Sequence, residues 1–124
     1  MDASMIWVIS SDPDTRRLIG LNLSKRGLGV LEVSSQGKLQ DRPSRAKLQL
    51  IILDINQPDE SGWEVADALR QSSETQGVPI ILLLPTAPAD RQLAPLQPVR
   101  WLEKPLAMDA LLAQVWESLG QQRT

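Results

Sequence analysis

Apolar residues are concentrated in five short runs, separated by stretches with helical periodicity. The runs cover residues 5–9, 29–33, 50–53, 78–84 and 99–102. The first, third and fourth runs are almost continuous in Ile, Val, Leu and Trp, which is typical of strands covered on both faces. The second run is interrupted by Glu32, which indicates a more exposed strand. The pattern therefore predicts five strands.

Helix signals fill the intervals between the runs. Asp12 is a good N-cap, Pro13 suits the first helical position, and Gly27 can close this first helix. Pro43 makes the second helix short and irregular. The remaining helices are predicted over residues 36–47, from Ser61 and Gly62 onward, within residues 86–96, and from Pro105 onward.

Strands that alternate with helices predict right-handed crossovers and a parallel sheet with helices on both faces. We therefore predict one α/β domain over residues 1–124, a doubly wound five-stranded parallel sheet flanked by five helices in three layers. In such sheets, function collects at the carboxyl ends of the strands, near the switch in strand order. The residues directly after each apolar run are therefore the candidates for chemistry.

The composition of the chain excludes several classes of function. The chain has 124 residues, no cysteine and no histidine, which excludes disulfides, thiolate chemistry and the commonest general base. A net charge of −2 disfavours direct nucleic-acid binding, which needs a basic surface. No apolar run approaches the roughly 20 residues of a spanning helix, and the N-terminus lacks a secretory pattern. We expect a cytoplasmic protein that is not an enzyme.

Two charged residues stand at predicted strand ends. Asp54 ends the buried run of residues 50–53, and the next helix begins too late for Asp54 to be its cap. Lys104 follows the fifth run and precedes Pro105, where the peptide bond can adopt the cis form. Most lysines are solvated, but the position of Lys104 favours an ammonium that reaches the same crevice as Asp54.

Three segments resemble the receiver domain of two-component response regulators, a CheY-like, flavodoxin-like fold. They are LIILDINQPDESGWEVADALR, VPIILLLP, and WLEKPL at residues 101–106. The resemblance covers the whole chain and implies that Asp54 accepts a phosphoryl group from a sensor histidine kinase. It further implies that Lys104 contacts the phosphate or the carboxylate, and that Mg²⁺ is the cofactor.

Several family positions are altered. The acidic pair that binds the metal aligns with Ser10 and Ser11, which leaves Asp12, Asp54 and the Asn56 carbonyl as metal ligands and argues against strong Mg²⁺ binding. The position of the family's Thr or Ser is Leu84, which cannot donate a hydrogen bond. A shift of register would bring in Thr86, but it requires a bulge. The switch aromatic is Trp101, for which a fixed core or partner-anchoring role is expected.

Two functions stay open on these residues. The first is a receiver that relays a signal through its surface, with Asp54 as phosphoacceptor. The alternative is a phosphorylation-independent pseudo-receiver that serves as an interaction or dimerisation module. The expected partners are a sensor kinase or another signalling protein, an output domain if the chain is a fragment, and a second copy through the fourth helix, fifth strand and fifth helix. Trp116 is a candidate anchor of that surface, with a core role as the alternative.

Overall fold

The computed structural model describes residues 4–34, 47–56 and 60–121. The strands are β1 (Ser4–Ile9), β2 (Val30–Val33), β3 (Lys47–Asp54), β4 (Ile80–Leu84) and β5 (Val99–Glu103). The α-helices of the described residues are α1 (Pro13–Ser24), α2 (Glu60–Gln71), α3 (Asp90–Leu93) and α4 (Met108–Gln121). A 3-10 turn at Ala94–Leu96 extends α3.

The strands form one parallel sheet in the order β2-β1-β3-β4-β5. This is the predicted doubly wound arrangement, with the strand order reversing between β1 and β3. All five predicted strands are confirmed. The predicted second helix over residues 36–47 falls outside the described residues, except that Lys47 begins β3.

The core lies on both faces of the sheet, because successive residues of the central strands point to opposite sides. On one face, Leu50 and Ile52 of β3 pack in the apolar cluster that includes residues of α1 and α4. On the other face, Ile51 and Leu53 pack in the cluster that includes residues of α2 and the 3-10 turn. The continuous apolar runs thus mark strands that are covered twice.

Three predicted helix boundaries shift. α1 ends at Ser24, and Gly27, with a φ of 81°, lies in the turn that leads to β2. α2 begins at Glu60, before the predicted Ser61. α4 begins at Met108 rather than at Pro105, because the Ala107 carbonyl accepts the N–H of Leu111 at 3.1 Å.

Residues 104–107 connect β5 to α4 and are not part of the helix. The peptide bond between Lys104 and Pro105 is cis, as the sequence allowed. Leu106 is partly buried against the cluster beneath α1 and α4. Within the described ranges, no helix is both long and apolar enough to cross a bilayer.

Arg70, in the last turn of α2, binds three main-chain carbonyls near the amino ends of β4 and β5. Its Nε donates to Leu96 at 2.8 Å, Nη1 to Thr75 at 3.1 Å, and Nη2 to Pro98 at 2.8 Å. Burial lowers the pKa of this guanidinium below its usual value. One side chain therefore joins the α2–β4 loop to the segment that enters β5.

Gly62 of α2 lies directly against Ile55, the residue that follows Asp54. A Cβ at position 62 would stand 2.6 Å from Ile55 Cγ2 and 2.7 Å from Cγ1, and Ile55 is only 2% exposed. These distances are too short for non-bonded carbon atoms. α2 can therefore lie this close to the end of β3 only because residue 62 is a glycine.

We expect Gly62→Ala to destabilise the fold by about 1–3 kcal/mol, because overpacking outweighs the gain in helix propensity. Urea unfolding followed by tryptophan fluorescence measures the change. Gly120→Ala in α4 is the matched control, since a Cβ there meets no atom within 4 Å. That control should raise stability by up to about 1 kcal/mol. Equal effects of the two substitutions would contradict the close approach at Gly62.

Candidate functional site

Asp54 lies at the carboxyl end of β3, the central strand of the sheet. β3 is flanked by β1 and β4, and Asp54 pairs in register with Leu83 of β4. The side chain of Asp54 is 1% exposed. The buried strand therefore ends in a carboxylate that lies at the crevice but is shielded from water.

Lys104 follows β5 and reaches the same crevice. Its backbone N–H donates to the Leu84 carbonyl at 2.7 Å, which fixes the chain where β5 ends. Its Nζ lies 2.5 Å from Asp54 Oδ1, and donates to Asn56 Oδ1 at 2.7 Å and to the Ile55 carbonyl at 3.1 Å. An ammonium has three N–H donors, and three oxygens surround this one.

Ser10, directly after β1, binds the second oxygen of Asp54. Its hydroxyl donates to Asp54 Oδ2 at 2.7 Å and accepts the N–H of Asp12 at 3.1 Å. Oδ1 of Asp54 is buried and accepts no hydrogen bond of regular geometry among the described residues, so its partner is the ammonium of Lys104 through charge. Each oxygen of the carboxylate thus has its own partner.

Asn56 and Ser11 extend these contacts toward the surface. Asn56 Nδ2 donates to Ser11 Oγ at 3.0 Å, while Asn56 Oδ1 accepts from Lys104. Both residues are exposed. The side chain of Asn56 therefore connects the loop after β1 to the lysine after β5.

Both carboxylate oxygens of Asp12 are engaged at the start of α1. Its Oδ1 accepts the N–H of Asp14 at 3.2 Å and its Oδ2 accepts the Thr15 hydroxyl at 2.5 Å, as expected of the N-cap of α1. The hydrogen bond from Thr15 is the main cause that lowers the pKa of Asp12 below its usual value. Asp12 therefore serves as a helix cap, and its role as a metal ligand beside Asp54 and Asn56 stays a prediction.

The donor set of the crevice does not fit a typical Mg²⁺ site. Mg²⁺ prefers oxygen ligands that include one or two carboxylates, with several waters retained. Here the carboxylate of Asp54 is joined by the hydroxyl of Ser10 and the ammonium of Lys104, and the described part of the chain holds no group of three acidic, His or Cys side chains suited to a metal.

Two further family positions lie beside the crevice. Leu84 is 2% exposed and packs in the cluster beneath α2, so its side chain offers no hydrogen bond to the site. Thr86, the alternative residue, is exposed in the loop after β4. Trp101 is half-buried and packs against the same cluster as Leu84, which agrees with a packed indole rather than a free one.

The sequence did not identify two residues that support the site. Arg16 of α1 donates from Nη1 to the Ser10 carbonyl at 2.7 Å, and its Nε lies 3.7 Å from Glu32 Oε1. Ile55 contributes its carbonyl to Lys104. The contact of Arg16 could not be predicted because it depends on the path of the loop after β1. The contact of Ile55 could not be predicted because every residue type has a main-chain carbonyl.

A family model described as the response regulator receiver domain matches residues 6–116. The chain is 30% identical over 112 residues to the transcriptional regulatory protein GltR of Pseudomonas aeruginosa, covering 89% of this chain and 46% of that protein. The chain thus spans less than half the length of the curated relatives it matches.

Two solved structures show the same fold. The chemotaxis protein CheY4 of Vibrio cholerae superposes with a TM-score of 0.80 at 21% identity, covering 94% of this chain and 99% of that one. A sensor protein from Polaromonas sp. JS666 superposes with a TM-score of 0.76 at 28% identity, covering 95% of this chain and 97% of that one. The CheY-like architecture predicted from the sequence is confirmed.

We expect Lys104→Met to destabilise the protein by about 3 kcal/mol, because it leaves the buried Asp54 carboxylate without a countercharge. In an Asp54→Asn background the same substitution should cost less, which gives a coupling of about 1–3 kcal/mol in a double-mutant cycle. Urea unfolding of the four proteins measures it.

Lys47→Met is the matched control, because Lys47 is exposed at the start of β3. Its effect should stay within about 0.5 kcal/mol in either background. A cycle that closes without coupling between Asp54 and Lys104 would show that the ion pair contributes nothing to stability.

Proposed function

The chain belongs to the response regulator receiver domain family, and from this premise we propose that Asp54 is the phosphoacceptor of a receiver module in two-component signal transduction. The observation that carries the proposal is the position of Asp54, a buried carboxylate at the carboxyl end of the central strand with the Lys104 ammonium 2.5 Å away. Phosphoryl transfer depends mainly on such positioning and on neutralisation of charge.

A carboxylate oxygen of Asp54 attacks the phosphorus of a kinase phosphohistidine, and an O–P bond forms as the P–N bond breaks. The bond pair stays with the leaving imidazole, which takes a proton from solvent. The Lys104 ammonium stands where it can balance the charge on the phosphoryl oxygens. Ser10 steadies the other carboxylate oxygen through its hydroxyl.

Receiver domains typically bind Mg²⁺ at the phosphorylation site. In this chain the oxygen donors left for a cation are the carboxylate of Asp54, the hydroxyls of Ser10 and Ser11, and the main chain at Asn56. A neutral hydroxyl is a weaker ligand than a carboxylate for a strongly hydrated dication. The residues of this crevice therefore suit Mg²⁺ poorly.

A pseudo-receiver is the second candidate function, and one observation favours it. Both oxygens of Asp54 already have partners, the hydroxyl of Ser10 and the ammonium of Lys104. A carboxylate held this way must give up a contact before it can attack. Leu84, in place of a hydroxyl residue, removes one donor that would compensate after transfer. This module would signal through its surface without a phosphorylation cycle.

Receiver domains interact with histidine kinases and output domains, and these are the proposed partners. The proposed location is the cytoplasm, because a kinase needs the ATP that is present there. The relative named a transcriptional regulatory protein is longer than this chain, which supports an output domain as partner. Direct nucleic-acid binding by this domain is not proposed, because its net charge is −2.

The proposed dimer surface comprises α3, β5 and α4. Leu96 is 1% exposed and belongs to the core, so it is not part of that surface. Arg100 of β5 contacts Gln114 and Glu117 of α4, at 2.9 and 3.2 Å. Each residue turns an α-helix by about 100°, so Trp116, two residues after Gln114, lies on a different side of α4. It is 48% exposed, so its core role is wrong.

Incubation with acetyl phosphate should add the mass of one phosphoryl group to the protein, measured by intact mass spectrometry. The added group should be labile to hydroxylamine, as an acyl phosphate is. Asp54→Asn should abolish the uptake, because the amide is not a nucleophile of this kind.

Asp67→Asn is the matched control, because Asp67 is an exposed carboxylate on α2 and should not change the uptake. If wild-type protein takes up nothing, or if Asp54→Asn takes up as much as wild type, Asp54 is not the phosphoacceptor. The first of these results leaves the pseudo-receiver as the function.

A further inference from the structure

We infer that Ser10 and Lys104 together replace the divalent cation at Asp54, so that this receiver site operates without Mg²⁺. The inference rests on the proposed function and concerns how that same site is regulated. Ser10 is the residue that decides the metal dependence. Lys104 acts on the charge of the carboxylate, and Ser10 acts on its second oxygen.

The charge of the Asp54 side chain is already balanced by a neighbouring cation. The side chain of Asp54 is 1% exposed, and its single negative charge faces the single positive charge of Lys104 at 2.5 Å. A dication added beside them would leave an excess of positive charge in a poorly solvated place. Like charges at such distances repel strongly where water does not screen them. Binding would therefore require the ammonium to move away.

The hydrogen bonds of the crevice point the wrong way for a cation. Asp54 receives a hydroxyl proton from Ser10 at Oδ2 and faces the ammonium of Lys104 at Oδ1. Protons that point into a site bind anions and repel cations. The same donors suit phosphoryl oxygens, which are anionic acceptors. The crevice is thus built for a phosphoryl group rather than for a metal.

Burial closes the remaining approach. A cation at Asp54 Oδ2 would have to displace the hydrogen of Ser10, which is 2% exposed. Mg²⁺ loses its waters reluctantly and keeps several of them in protein sites. Arg16 holds the carbonyl of Ser10 at 2.7 Å, so the loop is fixed in the arrangement that presents the hydroxyl to Asp54.

Restoring the carboxylate at position 10 tests the inference. In Ser10→Asp, two carboxylates meet without a proton between them, and a dication relieves their repulsion. We expect the Tm of this variant to rise by about 4 °C in roughly 10 mM MgCl₂, compared with NaCl of equal ionic strength. Wild type should show no such difference. Ser10→Ala is the matched control, since it removes the hydroxyl without adding a charge. Its Tm should be the same in MgCl₂ and in NaCl.

The wild-type measurement decides even if Ser10→Asp fails to fold. A wild-type Tm that rises with MgCl₂ beyond NaCl would overturn the inference, and so would a rise in Ser10→Ala. Trp7 on β1 and Trp63 on α2 provide an independent fluorescence titration of the same binding.

Phosphoryl uptake from acetyl phosphate separates this inference from the function on which it rests. Equal rates in EDTA and in Mg²⁺ support both. Uptake that occurs only with Mg²⁺ overturns the inference and keeps Asp54 as phosphoacceptor. No uptake under either condition overturns the phosphoacceptor, and the Tm comparison then decides the inference alone.

Discussion

The contact between Asp54 and Lys104 joins residues from β3 and from the loop after β5, and other features of the site are arranged around it. The two groups are 2.5 Å apart, and the carboxylate is almost fully buried. A buried charge needs a partner, and removing that partner is costly. The continuous apolar strands are what bring this charge out of water, because they carry Asp54 to the end of the central strand.

The loops set how the pair is completed. Ser10 after β1 binds the second oxygen of Asp54, and Asn56 after β3 binds the ammonium of Lys104. Each of these residues stands at the carboxyl end of a parallel strand, which is where such sheets collect their polar groups. The fold thus provides the position, and the residue types at three loop positions determine whether a cation or a set of hydrogen-bond donors faces the carboxylate.

Much of this arrangement could be predicted from the sequence. The five strands follow from uninterrupted apolar runs, and the N-cap at Asp12 follows from its place before Pro13. The meeting of Asp54 and Lys104 follows from two strand ends at one edge of the sheet. The start of α4 at Met108 could not be predicted, because it depends on the route of residues 105–107 across the sheet. The bond from Ser10 to Asp54 likewise depends on loop geometry, which periodicity does not encode.

Different contacts hold the two ends of β4 and β5, and the three carbonyl contacts of Arg70 lie at the amino ends. The guanidinium tethers the chain just before β4 and β5, whereas the ion pair lies beyond their opposite ends. β5 is therefore anchored at both ends, by the guanidinium of Arg70 where the strand begins and by the contacts of Lys104 where it ends.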